Sequence, residues 1–163
     1  MWGATWETVW INLVSIIVVA ILGALLGLLL FETSNSESIC AKVLNWIVSA
    51  FVNIFRSIPF IILIVLLLPA TQAMKGTIIG PKAALPSLII SAAPFYARLV
   101  EIAFHEIDQC VIEAADSMGA TQSQIISKVL LPESMPALVS GLTVTAISLI
   151  GYTAMAGAIG AGG

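Results

Sequence analysis

The chain has 163 residues, 60% of them hydrophobic and only 9% charged, with a net charge of −3 at pH 7. A soluble globular domain carries about a quarter charged residues, so the ionic surface is too small to cover a water-facing globule. The slightly acidic balance excludes a basic nucleic-acid footprint, and the length suggests one domain.

Taken in chain order, the apolar runs predict a polytopic all-α membrane protein. A bilayer core takes about 20 apolar residues as helix, and Val9 to Phe31 is a charge-free run that predicts a first span over 9–31. It contains Gly23-Ala24-Leu25-Leu26-Gly27, a small-xxx-small pattern that lets helices approach closely without specifying a partner. No Lys or Arg precedes Lys42, so the basic n-region of a signal peptide is missing. The first run is also too long for an h-region and is expected to stay as an anchor. The polar, Ser-rich stretch from Glu32 to Lys42 is a connection.

A second span is expected over 43–68, and it contains Arg56. A central arginine costs about 2.5–3.5 kcal/mol, against about −0.3 to −0.6 kcal/mol for each Leu, Ile, Phe or Val. The apolar residues outweigh it, yet the arginine must avoid lipid. Asn45, Ser49, Asn53 and Arg56 recur at helical spacing as one polar stripe, which should face other helices or water. The alternative starts the span near Ser57, with Arg56 snorkelling at the interface and the upstream part a surface helix. Pro69 and the segment Gln72 to Lys82, with Gly76, Gly80 and Pro81, predict the next turn.

The third span is expected over 83–104, with Pro86 and Pro94 tolerated where neighbouring helices satisfy the freed carbonyls. After a polar segment, a charge-free stretch predicts a fourth span over 136–158, opened by Pro136 at its first turn. Thr145, Ser148 and Tyr152 share a face there, and the glycines from Gly157 to Gly163 should fray or stop the helix. Lys42, Arg98 and Lys128 fall on one side of a four-span chain, Lys75 and Lys82 on the other. That bias, with the absence of Lys or Arg before the first span, favours an outside N-terminus.

The segment 105–133 between the third and fourth spans predicts two short helices and a tight bend. Glu113 to Met118 are good helix formers, and Gly119 is a natural left-handed stop. Thr121 and Gln124 fit a capping box that starts a second helix. Ile125, Ile126, Val129 and Leu130 share a face of it, and Pro132 is expected to end it. The bend would expose a compact knob suited to a groove on a soluble partner. Cys40 and Cys110 lie far apart without a C-x-x-C, and with the lone His105 they fit no zinc spacing. Free thiols are expected, with no metal and no cofactor.

The run Glu113-Ala114-Ala115, then Gly119, then Leu131-Pro132, resembles the E-A-A-x3-G-x9-I-x-L-P signature of ABC importer membrane subunits. Further runs are similar to methionine importer permeases in particular: Asn53-Ile54-Phe55-Arg56-Ser57-Ile58-Pro59-Phe60, Ala92-Ala93-Pro94-Phe95, Met118-Gly119-Ala120-Thr121 and Gly151-Tyr152-Thr153-Ala154-Met155. The resemblance covers 6–163 and implies a type I importer transmembrane domain of five spans, of which about four are present. Asp116 departs from the pattern, making the knob more acidic. The glycine-rich end stands where the family leads into its fifth span, so a fragment with an incomplete pore wall is expected.

The resemblance implies a multi-pass permease of the cell membrane that is not itself an enzyme, importing an amino acid, methionine before others. Its implied partners are two copies of a cytoplasmic ATP-binding subunit, a second copy of itself, an extracytoplasmic substrate-binding protein or lipoprotein, and membrane lipid, with no nucleic acid. Glu113, Ala114, Ala115, Gly119, Leu131 and Pro132 are the implied coupling positions to the ATPase. Asn53, Arg56, Pro59, Ser148, Tyr152 and Met155 are candidates for the pathway or its gate. Competing readings are a permease for another polar amino acid, a carrier or channel needing no ATPase, and a non-transporting fragment.

Overall fold

The computed structural model describes residues 1–76 and 81–158, and among them every regular element is helical. The helices are α1 (Trp2–Asn35), α2 (Ile39–Ser57), α3 (Phe60–Lys75), α4 (Pro81–His105), α5 (Gln109–Ser117), α6 (Gln122–Ile125) and α7 (Leu131–Ala158). A π-helical turn, Ile126–Leu130, joins α6 to α7. Among the described residues, four helical stretches are long and apolar enough to cross a membrane: Trp2–Asn35, Ile39–Ser57, Ala83–His105 and the continuous Gln122–Ala158.

Helix α4 is the centre of the bundle. Most of its residues are buried, and α1, α2, α3 and α7 all pack on it. The seam with α1 is the closest. Ile11, Ser15, Val19, Gly23, Gly27 and Leu30 are buried at near four-residue spacing, which puts them on one ridge. The ring of Tyr96 lies over Gly23, Val100 lies against Gly27, and Phe31 meets Phe104 edge-on with centroids 5.6 Å apart. Numbers rise together along this seam, so α1 and α4 run parallel. The small-xxx-small pattern thus finds its partner within the chain.

The other two lines of helix run the opposite way. Asn45 of α2 donates to Leu30 O at 2.9 Å and to Thr33 Oγ1 at 3.0 Å, near the end of α1. Asn53 then lies beside Arg98, and Arg56 beside Phe95, so rising numbers in α2 meet falling numbers in α4. On α7, Tyr96 Oη donates to Leu138 O at 3.3 Å, and Asn12 Nδ2 donates to Thr153 Oγ1 at 3.2 Å.

Three expectations are corrected. The helix expected over 43–68 is two helices, because Ile58 is extended (φ −78°, ψ 122°) and Pro59 stands as the N-cap of α3. Proline lacks an N–H and disfavours helical geometry in the residue before it. The break, at Ile58–Pro59, follows Ser57, near which the alternative reading starts the span, but the upstream helix packs on α1 and α4 instead of lying apart. Pro132 does not end a helix; it sits in the first turn of α7, behind the π turn in which Leu131 N–H bonds Ile126 O. That widened turn displaces the carbonyl the ring would otherwise strike. Pro136 consequently lies inside α7 and not at its opening. Residues 77–80 of the expected turn and 159–163 of the glycine-rich end lie outside the described residues.

Candidate functional site

Two places in the fold bring sequence-predicted residues together: an elbow between α4 and α7, and the break between α2 and α3. The elbow begins at Asp108, whose Oδ1 accepts from the Cys110 N–H at 2.9 Å and caps α5. That Asp–x–x start was readable from sequence as a cap and was not anticipated. The same carboxylate, hydrogen-bonded to the Cys110 thiol and negatively charged beside it, pushes the thiol pKa up.

Helix α5 stops as its glycine predicts. Gly119 has φ +80°, its N–H bonds Asp116 O at 2.9 Å, and the Ala120 N–H reaches back to Ala115 O at 3.2 Å. This is the Schellman pattern, in which a left-handed residue closes the orphan carbonyls of a helix end. Two residues on, the Thr121 N–H donates to Gln124 Oε1 at 3.0 Å while the Gln124 N–H donates to Thr121 Oγ1 at 3.4 Å. The predicted capping box is therefore formed. Ile125 and Leu130 are buried and Ile126 and Val129 half-buried, which seats the elbow on the bundle.

The outer side of the elbow is open. Glu113, Ala114, Asp116, Met118 and Gly119 are exposed, as are Leu131 and Pro132, while Ala115 is half-buried and packs inward. A groove of about 450 Å³ runs along Ala114, Ala115, Gly119, Gln124 and Lys128. The elbow is also tied sideways, since Gln122 Nε2 donates to both oxygens of Glu32 at the end of α1, at 2.9 and 3.1 Å. Beyond the bend, the second limb of the elbow runs as continuous helix from Gln122 into α7, and the same Gln122 ties it to α1.

At the break, Asn53, Ser57, Ile58 and Pro59 line an open groove of about 480 Å³. Phe60, the first residue of α3, stacks on Tyr152 of α7 with centroids 4.6 Å apart and planes 16° apart. Arg56 lies over the Phe95 ring at 5.9 Å, a cation–π placement. Arg56 is otherwise exposed, and Phe95 lies ten residues before the α4 end, roughly 15 Å along a helix. Asn53, Pro59 and Tyr152 thus gather around the break with Arg56 close by. Ser148 is half-buried and bonds only its own helix, at Val144 O, and Met155 is exposed. The Asn12–Thr153 link and the buried Glu101 were not anticipated, because partners 141 residues apart leave no local signal.

The profile of binding-protein-dependent transport system inner membrane components matches residues 38–163. The chain is 61% identical to the methionine import system permease protein MetP of Bacillus subtilis, over all of this chain and 73% of that protein. The chain belongs to this permease family. It is also 51% identical to the D-methionine transport system permease protein MetI of Escherichia coli K12, over 93% of this chain and 70% of that one. Its fold superimposes on a solved inward-facing structure of the MetNI methionine ABC transporter with a TM-score of 0.92. That match has 50% identity and covers 99% of this chain and 74% of the other. This permease is therefore a multi-pass, membrane-spanning protein of the type I importer fold.

Proposed function

We propose that this permease forms one half of the translocation pathway of an ATP-driven importer of methionine, with ATP hydrolysed on a separate cytoplasmic subunit. The observation that carries the reading is the Gly119 elbow, capped on both sides, exposing Glu113 and Ala114 and continuing without a break into α7. Relatives that share half or more of its residues are methionine permeases, which supports the substrate. The membrane is crossed by α1, by α2 and α3 as one broken span, by α4, and by α7, with the N-terminus outside.

In this mechanism the elbows of two copies seat in grooves of two ATPase subunits. Glu113 offers a carboxylate for a charge-assisted hydrogen bond there, the small Ala114 and Ala115 let the knob seat closely, and Gly119 holds the bend. ATP-driven closure of the ATPases pushes the elbows together. Leu131 and Pro132, at the root of α7, pass the motion along that helix to Tyr152, which bears on Phe60 at the break. The groove beside Asn53, Arg56 and Pro59, with Ser148 and Met155 on α7, then opens outward to a substrate-binding protein and closes again after hydrolysis.

The test is uptake of labelled methionine into proteoliposomes holding the permease and its ATP-binding subunit, with the binding protein outside and ATP inside. Uptake should need ATP and disappear in Gly119→Val while the protein stays in the membrane. A β-branched residue is strained at φ +80°. Uptake that survives ATP depletion would instead make the chain a carrier.

A further inference from the structure

One buried ionisable group plays no part in the mechanism above. Glu101 of α4 is 9% exposed and lies one turn inside the α4 end that leads to the elbow. A carboxylate there is costly unless paired and hydrogen-bonded, and one of its oxygens has a charged partner within bonding distance. Oε2 takes the Arg98 Nη1, and Oε1 is 3.8 Å from His105 Nε2. The arrangement does not stay within α4. Arg98 Nη2 donates to Asn53 Oδ1 of α2 at 3.1 Å, while His105 lies 3.4 Å from Ser34 Oγ of α1 and edge-on to the Phe31 ring.

The guanidinium is a rigid planar fork. With one nitrogen fixed by Glu101, the other is held in place for Asn53, one turn before Ser57 and the break that follows it. His105, at the other end of the cluster, is three residues from the Asp108 cap of the elbow. The pair is only partly buried, with the Arg98 and Glu101 side chains 26% and 11% exposed, and ion pairs open to solvent contribute little to stability, so stability alone does not account for it.

We propose that Arg98 and Glu101 form a clamp between α4 and α2 that carries elbow displacement to the helix break. Glu101 fixes Arg98, Arg98 holds Asn53, and both charged residues are positioning residues for transport. The inference rests on the reading of the elbow as the ATPase docking element.

The experiment measures methionine taken up per ATP hydrolysed in proteoliposomes of the whole transporter. Arg98→Gln and Asn53→Ala should each lower that ratio roughly tenfold, the worth of one hydrogen bond to a charged group, while ATP hydrolysis continues. Arg98→Gln also breaks the pair with Glu101, but both variants remove the same Arg98–Asn53 bond, so the double variant should be no worse than the poorer single. Asn53→Asp, which still accepts from Arg98, should recover most of the ratio. An unchanged ratio in Asn53→Ala, no recovery with Asp, or losses that multiply in the double variant would overturn the clamp with the elbow reading intact. A wild-type transporter without ATP-driven uptake would remove both. If Arg98→Gln does not fold, the Asn53 pair of variants at the exposed end still decides.

Discussion

Gly27 is the position where the packing of the bundle is most directly testable. A Cβ built there stands 2.6 Å from Val100 Cβ and Cγ1 and 2.7 Å from Ala97 O. Carbon atoms in good contact sit about 3.5–4.0 Å apart, so α1 and α4 would have to separate by about 1 Å. A backbone oxygen and a Cβ cannot rotate away, which puts Gly27→Ala at the upper end of the about 1–3 kcal/mol that overpacking costs. Alanine returns about 1 kcal/mol through helix propensity, leaving a net loss of about 2 kcal/mol. For a chain of this size that is a fall in Tm of about 4–8 °C. Gly151 is the control, because a Cβ there meets nothing within 4 Å. Gly151→Ala should be neutral or stabilising by up to about 1 kcal/mol. Thermal unfolding of both variants in the same detergent measures the contrast. A Gly27→Ala protein as stable as wild type would refute the α1–α4 seam as the close-packed core.

Other outcomes follow from the elbow. In a Cys40→Ser background, alkylation of Cys110 should rise with pH only late, because Asp108 holds the thiol protonated. Asp108→Asn should move the half-point of the rate profile to lower pH; an unmoved profile would deny the carboxylate that role. Thr121→Ala removes the capping box and should cost the second turn about 1 kcal/mol. Hydrogen exchange at the Gln124 amide should then quicken about fivefold, and unchanged protection would count against the cap.

The legible parts of this fold have short-range causes. Gly119 and the Thr121–Gln124 pair announce the elbow because each conformation is fixed within a few residues. The stripe of Asn45, Ser49, Asn53 and Arg56 is legible because helical spacing is a local property; Asn45 and Asn53 bond to α1 and α4, while Asn53 and Arg56 stay exposed. Other features depend on what lies across the bundle. Arg98 and Glu101 are local i, i+3 neighbours, and only the placement of α2 extends the pair into a cross-helix contact. The path from α6 through the π turn into α7 was hidden for another reason. Pro132 is a sound helix terminator in isolation, and one widened turn suffices to remove its clash.

The break at Pro59 shows how one local difference separates prolines of equal chemistry. Pro69, Pro86, Pro94 and Pro136 all lie inside helices, and Pro132 lies in a first turn. The residues before them are Leu68, Leu85, Ala93, Met135 and Leu131, none of them branched at Cβ. Pro59 follows Ile58. Proline's Cδ crowds the N–H and Cβ of the residue before it, and a second heavy atom on that Cβ leaves little rotamer freedom to escape. Ser57 adds to this by donating its Oγ to Asn53 O at 2.8 Å, a back-bond that bends helices. Pro136 has the same back-bond two residues before it, from Ser134 Oγ to Leu130 O, and its helix continues, so the branched Cβ of Ile58 is what separates Pro59 from the other prolines. The signal was present in the sequence as Ser57-Ile58-Pro59, and its weight emerges from comparison with the prolines that leave their helices intact. The break in turn sets Phe60 against Tyr152 and opens the groove at Asn53, so a steric preference of one isoleucine shapes the region proposed to gate the pathway.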